Sequence, residues 1–483
     1  MKKKPLCFIA LITMLCLASC EKPGPQEKTI QTKITDAEGT PVEETYPGML
    51  LRLSAEEFRD MNKENIFQKG AKLLIDDVPA QIKEAKEDYI LLDLPVLNYE
   101  IPRRYRIWIQ HQQYRFRLCD ACLIYRPRVS VGVFSGISGG VSDGTFQMPA
   151  EMTLDAAGNL YVIDQRTDHD VIIRVTPAGV AAVFAGAGGE FGRLTGIDID
   201  GSRNLMYVSD ASAQQVKAVT LTAPATVTVV AGSGVVGNTN GTGAAASFNF
   251  GTQWVSDFGT NEQGQGLVVD AAGNIYVGEK FGMGTGNSQI RRITPAGVVT
   301  TVPGSTVEVT GEDAIVLPTG VGLNGAGEIV STCGGIGPFH GVARISSGAY
   351  SRFVGMNGRE GLEDGTGSAA KFSYPKALQY HDGYYYVADG TNGALRRVTE
   401  SGEVWTLAGV GHVNTPTFCA CPRVPPAGGT YNIPSPFVFN PNAQEEAATA
   451  IMMDQVGGVA VLSRNVIYVS DYGYKCIWRI SVH

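Results

Sequence analysis

Three of the chain's six histidines, His169, His340 and His412, come first, because converging imidazoles hold metal ions that activate water. No ligand spacing links them, and no HExxH occurs, so a zincin site is excluded. Five acids recur in one setting: Asp164, Asp210, Glu279, Asp389 and Asp471 each end a short apolar strand. Together they could form a carboxylate ring. An acid at a strand end more commonly bonds backbone N–H groups and closes a turn, and a task shared by several units favours that structural role. The letters GxSxG occur around Ser138 and Ser142, but in a Gly-rich link without the helix that a nucleophile elbow requires. Cys119, Cys122, Cys333, Cys419, Cys421 and Cys476 read as disulfides or inert thiols, and the sequence does not fix their pairing. No residue is assigned a catalytic role.

The elements that carry these residues are repeats. "LDAAGNLYVID" at 154–164 returns as "VDAAGNIYVGE" at 269–279, with looser copies at 199, 323, 380 and 461. Most copies precede an apolar-basic run and a turn, such as "IIRVTPAG" or "LRRVTESG", and then a strand ending in Gly, such as "VWTLAG". Short runs rich in Val, Ile and Tyr, punctuated by Asn-Gly-like turns, predict antiparallel hairpins. Four strands per unit and six units predict a six-bladed β-propeller, since a single four-stranded sheet cannot bury both faces. The last unit is one strand short, and "RVSVGVFSG" at 128–136 is the candidate to complete it. Closure by both ends leaves no open edge. The propeller then spans 128–483.

The pattern "LDxxGNLYVxD", "IxRVTPxG" and the linking "NGTGAAASF" at 240 and "DGTGSAAKF" at 364 resembles the NHL repeat. The resemblance implies fold more than activity, because NHL propellers include protein-binding, RNA-binding and enzymatic members. Residues 40–127, with "YPGMLLRLSAEEF" and "RRYRIWIQHQQYRFRL", resemble an IPT/TIG-type immunoglobulin-like sandwich, so the fold class is all-β. Along the second hairpin, alternation puts Arg104, Arg106, Arg115 and Arg117 on one face, and Tyr105, Ile107, Tyr114 and Phe116 on the other.

The N-terminus reads as a lipoprotein signal over 1–19: "MKKK", a short apolar run, then "LASC", with Cys20 as the lipidated residue. A polar tether follows over 20–39. Loss of Lys2, Lys3 and Lys4 with the signal takes the formal net charge from −8 to −11, which argues against a nucleic-acid partner. The protein is expected to be exported and anchored to the cell envelope, in the outer membrane. This order of parts resembles surface proteins of Bacteroidetes that serve glycan utilisation.

Topology separates the two propeller faces. One carries only short turns such as "DAAGN"; the other holds nearly all the extra length, and long varied loops on a rigid ring are where binding resides. Trp254, Phe258, Phe281, Phe339, Tyr472 and Tyr474 fall there, and aromatic faces suit the C–H groups of a sugar ring. The leading expectation is non-catalytic binding of a glycan or other extracellular ligand. Two alternatives stay open: a lyase or lactonase with metal at His169, His340 and His412, as the resemblance to propeller lyases implies, and a scaffold for an envelope protein partner. No cofactor is required; calcium held in the channel by carboxylates and carbonyls is compatible with the fold.

Overall fold

A computed structural model describes residues 26–29, 31–38, 40–41, 44–45, 50–56, 58, 71–76, 78–86, 89–94, 103–111, 114–125, 129–138, 141–142, 144–251, 266–279, 287–308, 318–334, 339–346, 348–358, 360–409, 446–447 and 453–482. Nearly all described elements are strands. No described helix is long and apolar enough to cross a membrane. The chain divides into two compact units, Met1–Arg128 and Val129–His483.

The first unit has two sheets around one core. One is built on the hairpin Arg103–His111 and Tyr114–Tyr125, extended by Lys72–Ile75 and, in parallel, by Gln26–Thr29. The other orders Lys33–Asp36, Leu50–Ser54, Tyr89–Asp93 and Gln81–Ala85. Alternation decides what goes inside: Tyr105, Ile107 and Ile109 are buried with Leu51, Leu53, Ile90 and Leu92, while Arg104 and Arg106 face out. Trp108 lies on the arginine face beneath Arg115 and Arg117, whose guanidinium carbons sit 5.9 and 5.2 Å from its ring centre. Two strands fall within the stretch read from sequence as a tether. Polar composition hid them, but Thr35 is buried and Ile34 packs on the core.

Among the described residues the second unit shows six antiparallel sheets of four or more strands. The first is Pro149–Leu154, Leu160–Asp164, Val171–Val175, Ala181–Ala185; the second is Leu194–Asp200, Leu205–Asp210, Gln215–Thr220, Val227–Ala231. The third is Leu267–Val269, Ile275–Glu279, Asn287–Ile293, Val298–Thr301; the fourth is Pro318–Leu323, Ile329–Cys333, Phe339–Ser346, Ala349–Asn357. The fifth is Pro375–His381, Tyr384–Asp389, Ala394–Thr399, Glu403–Ala408. The sixth takes Val456–Ser463, Val466–Asp471 and Cys476–Val482 from the end of the chain and Val129–Ser135 from the start of the unit, with Val129 opposite Val482. The first strands of the six sheets touch in a closed cycle, sixth against first, which is a propeller arrangement.

The inner strands share a spacing. Met152, Ile197, Leu267, Val321, Leu378 and Val459, one from each sheet, line the axis. The residue before each is Glu151, Gly196, Gly266, Gly320, Ala377 and Gly458. Small residues are needed because neighbouring backbones pass close: a Cβ on Gly266 would strike the Val321 amide, and one on Gly458 the Ala150 carbonyl. Replacing Gly458 by Val is therefore expected to cost about 1–3 kcal/mol, read as a shift in the urea midpoint.

Candidate functional site at the ring axis and the loop face

The five recurrent acids are fully buried and spent on bonding. Each takes backbone N–H groups from the link entering its sheet. Asp164 accepts from Gln147 and Met148, Asp210 from Gly192, Glu279 from Asn249, Asp389 from Ser373, and Asp471 from Asp454 and Gln455, at 2.7–3.3 Å. Each also meets a donor from its own sheet: Arg166, Lys217, Arg291, Arg396 or the Trp478 indole, at 2.8–3.0 Å. They tie links to sheets and leave no open carboxylate ring. The fourth sheet has Cys333 at the corresponding end. Its Sγ lies 3.5 Å from the Tyr350 hydroxyl, and burial pushes the thiol up to about 12, so it stays protonated and unreactive. Cys476 is buried too; the side chains of Cys119 and Cys122 and all of Cys419 and Cys421 lie outside the described residues.

The two ends of the sheets differ. Turns between first and second strands, and between third and fourth, use two to six residues. On the other face the crossing from the first to the second sheet takes eight residues, 186–193. The remaining crossings use 13 (136–148), 16 (302–317), 17 (358–374), 35 (232–266) and 47 (409–455). Eight residues suffice for the geometry, so the longer links carry chain that ring closure does not demand.

The candidate aromatics distribute unevenly over this face. Tyr472 and Tyr474 share the turn between Asp471 and Cys476, and both are half-buried. The Lys376 ammonium lies 4.4 Å from the Tyr472 ring centre and donates to its hydroxyl at 3.2 Å. Tyr474 stands edge-on to Trp478, and burial together with nearby carboxylates raises its phenol to about 12. Phe339, expected among the ligand-facing aromatics, is instead buried. Its strand begins earlier than the repeat motif shows, pairing Phe339 with Asn357, and Arg352 packs over its ring. Trp254, Phe258 and Phe281 lie outside the described residues, as does Cys20.

Two of the three candidate histidines are described, and they lie in different sheets. His169 is half-buried in the loop between the second and third strands of the first sheet, and His340 is buried in the fourth, three places away in the cycle. The His340 Nδ1 accepts the Tyr374 N–H at 3.1 Å, which puts the proton on Nε2, 3.9 Å from Glu360. Burial lowers its basicity. His412 lies outside the described residues. Among the described residues no three His, Cys, Asp or Glu side chains converge as a metal site.

A second polar locus lies on the axis. A cavity of about 130 Å³ is lined by the six apolar residues above together with Glu151, Thr153, Asp198, Gln379 and Tyr380, and no lining residue is basic. Asp198 accepts from the Thr153 hydroxyl at 3.0 Å, its neighbour Ile199 N–H at 2.8 Å and the Val269 N–H at 2.8 Å, joining three inner strands. Burial raises it to about 6 despite these bonds. Glu151 is pushed further, to about 8, by burial and by the nearby Asp198; only a bond from the Met152 N–H opposes this. Sequence reasoning missed both acids, because inner strands carry no repeated motif. Aligning the six units by their apolar axial residue exposes Glu151 at once, as the one large side chain in a column of Gly and Ala.

No protein-family model matches the chain, and no curated protein does. Several solved structures are similar. A Bacteroides thetaiotaomicron protein described as a putative phosphatase matches at TM-score 0.51 and 14% identity, over 94% of this chain and 97% of its own. Another protein of that organism, of unknown function, matches at 0.50 and 13%, over 96% of this chain and 100% of its own. A third, an auxiliary nutrient binding protein, matches at 0.49 and 13%, over 94% and 98%. At such identities the first two likenesses concern the fold alone, and they extend over nearly the whole chain.

Proposed function

We propose that the chain is an exported lipoprotein, anchored through Cys20, that binds an extracellular glycan on the long-loop face without catalysis. In this reading residues 40–127 belong to an IPT/TIG-like sandwich, and 128–483 form a six-bladed NHL-like propeller. The supporting observation is the disparity between the faces, with turns of two to six residues on one and links of up to 47 on the other. Long loops on a rigid ring supply variable surface at fixed positions. In this reading Tyr472 and Tyr474 contribute sugar-facing rings, joined by Trp254 and Phe258 of the 232–266 link and by Phe281 of the stretch 280–286.

The test is a glycan-array screen of the anchorless chain, followed by titration of the best-bound glycan. Tyr472→Ala and Trp254→Ala are each expected to weaken binding about tenfold or more, as for central aromatic contacts. A substitution on the short-turn face, such as Val180→Ser, should leave affinity unchanged. Glycan binding that survives both aromatic substitutions, or no glycan bound at all, overturns the reading.

A further inference from the structure

We infer that closure of the ring is proton-dependent: a neutral Glu151 carboxyl seats the first sheet's inner strand at the axis, and its ionisation loosens the seam with the sixth sheet. This concerns the ring itself and stands apart from the ligand reading above.

Glu151 occupies the slot that the other five inner strands fill with Gly or Ala. The slot lies at the seam where the cycle closes. Gly458 of the sixth sheet faces the backbone of Ala150 and Glu151 so closely that it has no room for a Cβ. The Ser470 hydroxyl ties the same seam, donating to the Ala150 carbonyl at 2.6 Å and accepting the Gly458 N–H at 2.7 Å. The strand that carries Glu151 is thus held by a tight backbone contact, and its carboxyl lines the axial cavity beside that contact.

Among the described residues that line the cavity, none is a cation. The second sheet's inner strand presents Asp198 and, beyond it, Asp200, both acidic. The third, fourth and sixth inner strands carry no titratable side chain; the turns after them hold Asp270, Glu328 and Arg464, the last paired with Asp382. The fifth offers Tyr380, whose hydroxyl donates to Glu400; Lys376, whose ammonium is at Tyr472; and His381 at the far end of the strand. Asp198 is held by three donors, so of the two cavity acids Glu151 is the one that a proton best accommodates.

The sign follows from linkage. A carboxyl whose folded value lies near 8 rather than 4.5 contributes its full stability at low pH and loses it as pH rises through that window. Asp198, Asp170 and Asp389 are also raised, to about 6, so the diagnostic quantity is the difference between wild type and a variant.

The experiment is thermal unfolding of the full chain and of Glu151→Gln from about pH 5 to about pH 9. The two should melt together at the acid end, and the variant should melt higher by about 5 °C at the alkaline end. Glu151→Ala, which restores a side chain of the kind found in the other sheets, should behave likewise and guards against a variant that fails to fold. Hydrogen exchange at alkaline pH should show 149–154 and 456–463 opening in wild type before the remaining inner strands. Parallel melting curves overturn the proposal, as does exchange that rises uniformly around the ring. A wild-type pH dependence abolished by added calcium or sodium also overturns it, by showing that the carboxyls await a cation rather than a proton.

Discussion

Ending the chain after Lys475 should leave the second unit without a cooperative fold. The strand Cys476–Val482 pairs with both Val466–Asp471 and Val129–Ser135, so its ladder, together with the Ala150–Ser470 seam, joins the start of the unit to its end. Cys476, Ile477, Trp478 and Ile480 are buried in it, and they contribute to the cores on both sides of the sixth sheet. At about 1.5–3 kcal/mol for each large apolar side chain, the lost burial is on the order of 5–10 kcal/mol. That is comparable with the entire stability of an ordinary domain. Removal also exposes two strand edges where the closed ring has none. Far-UV circular dichroism through a thermal ramp should show loss of the main transition, and limited proteolysis should cut within 129–475. A cooperative melt within a few degrees of the intact chain would mean that the ring does not depend on this closure.

How the ring reads from sequence depends on which strand is considered. Second and third strands are legible because they pair a Gly/Asn/Asp turn with an apolar run and, in five of the six sheets, an acid fixed by bonds to the link entering the sheet. First strands are not legible. Their composition is set by the axis, where one apolar residue per sheet is required and the rest adapts locally, so "PAEMTL" and "PTGVGL" look unrelated although they occupy equivalent places. Glu151 was hidden for that reason. The candidate site suffers from a different limit: loop aromatics have no pattern that separates an exposed ring from a buried one. Phe339 and Tyr472 look alike in sequence, yet one opens a long buried strand and the other lies on a short turn. In the first unit, charge and proline masked strands whose inward residues, such as Thr35, are few.

Asp389→Ala is expected to cost about 3–5 kcal/mol, because it takes from a buried guanidinium the nearer and buried one of its two carboxylates. Arg396 is fully buried and divides its donors among the Asp389 carboxylate at 2.9 Å, the Lys371 and Glu363 carbonyls, and Asp364 at 3.1 Å. Without Asp389 the Ser373 N–H also loses its acceptor at 2.7 Å, and the link into the fifth sheet is released. The third sheet repeats the device with Arg291, which reaches Glu279, the Ser247 and Thr239 carbonyls, and Asn240. There a neutral amide stands where the fifth sheet has Asp364, so Arg291 faces one carboxylate and Arg396 two. Arg291 should therefore depend more heavily on its single acid, and Glu279→Ala should cost at least as much as Asp389→Ala. Urea unfolding of both variants measures this directly, and a smaller loss for Glu279→Ala would contradict the charge argument. A double replacement, Asp389→Ala with Arg396→Met, separates desolvation from contact. If the penalty is the orphaned cation, the pair should lose less than Asp389→Ala alone, since methionine fills the space against Phe372 without a charge. Additive losses would instead make the bonds to the link the larger contribution, and the acids would act chiefly as clamps on the chain that enters each sheet.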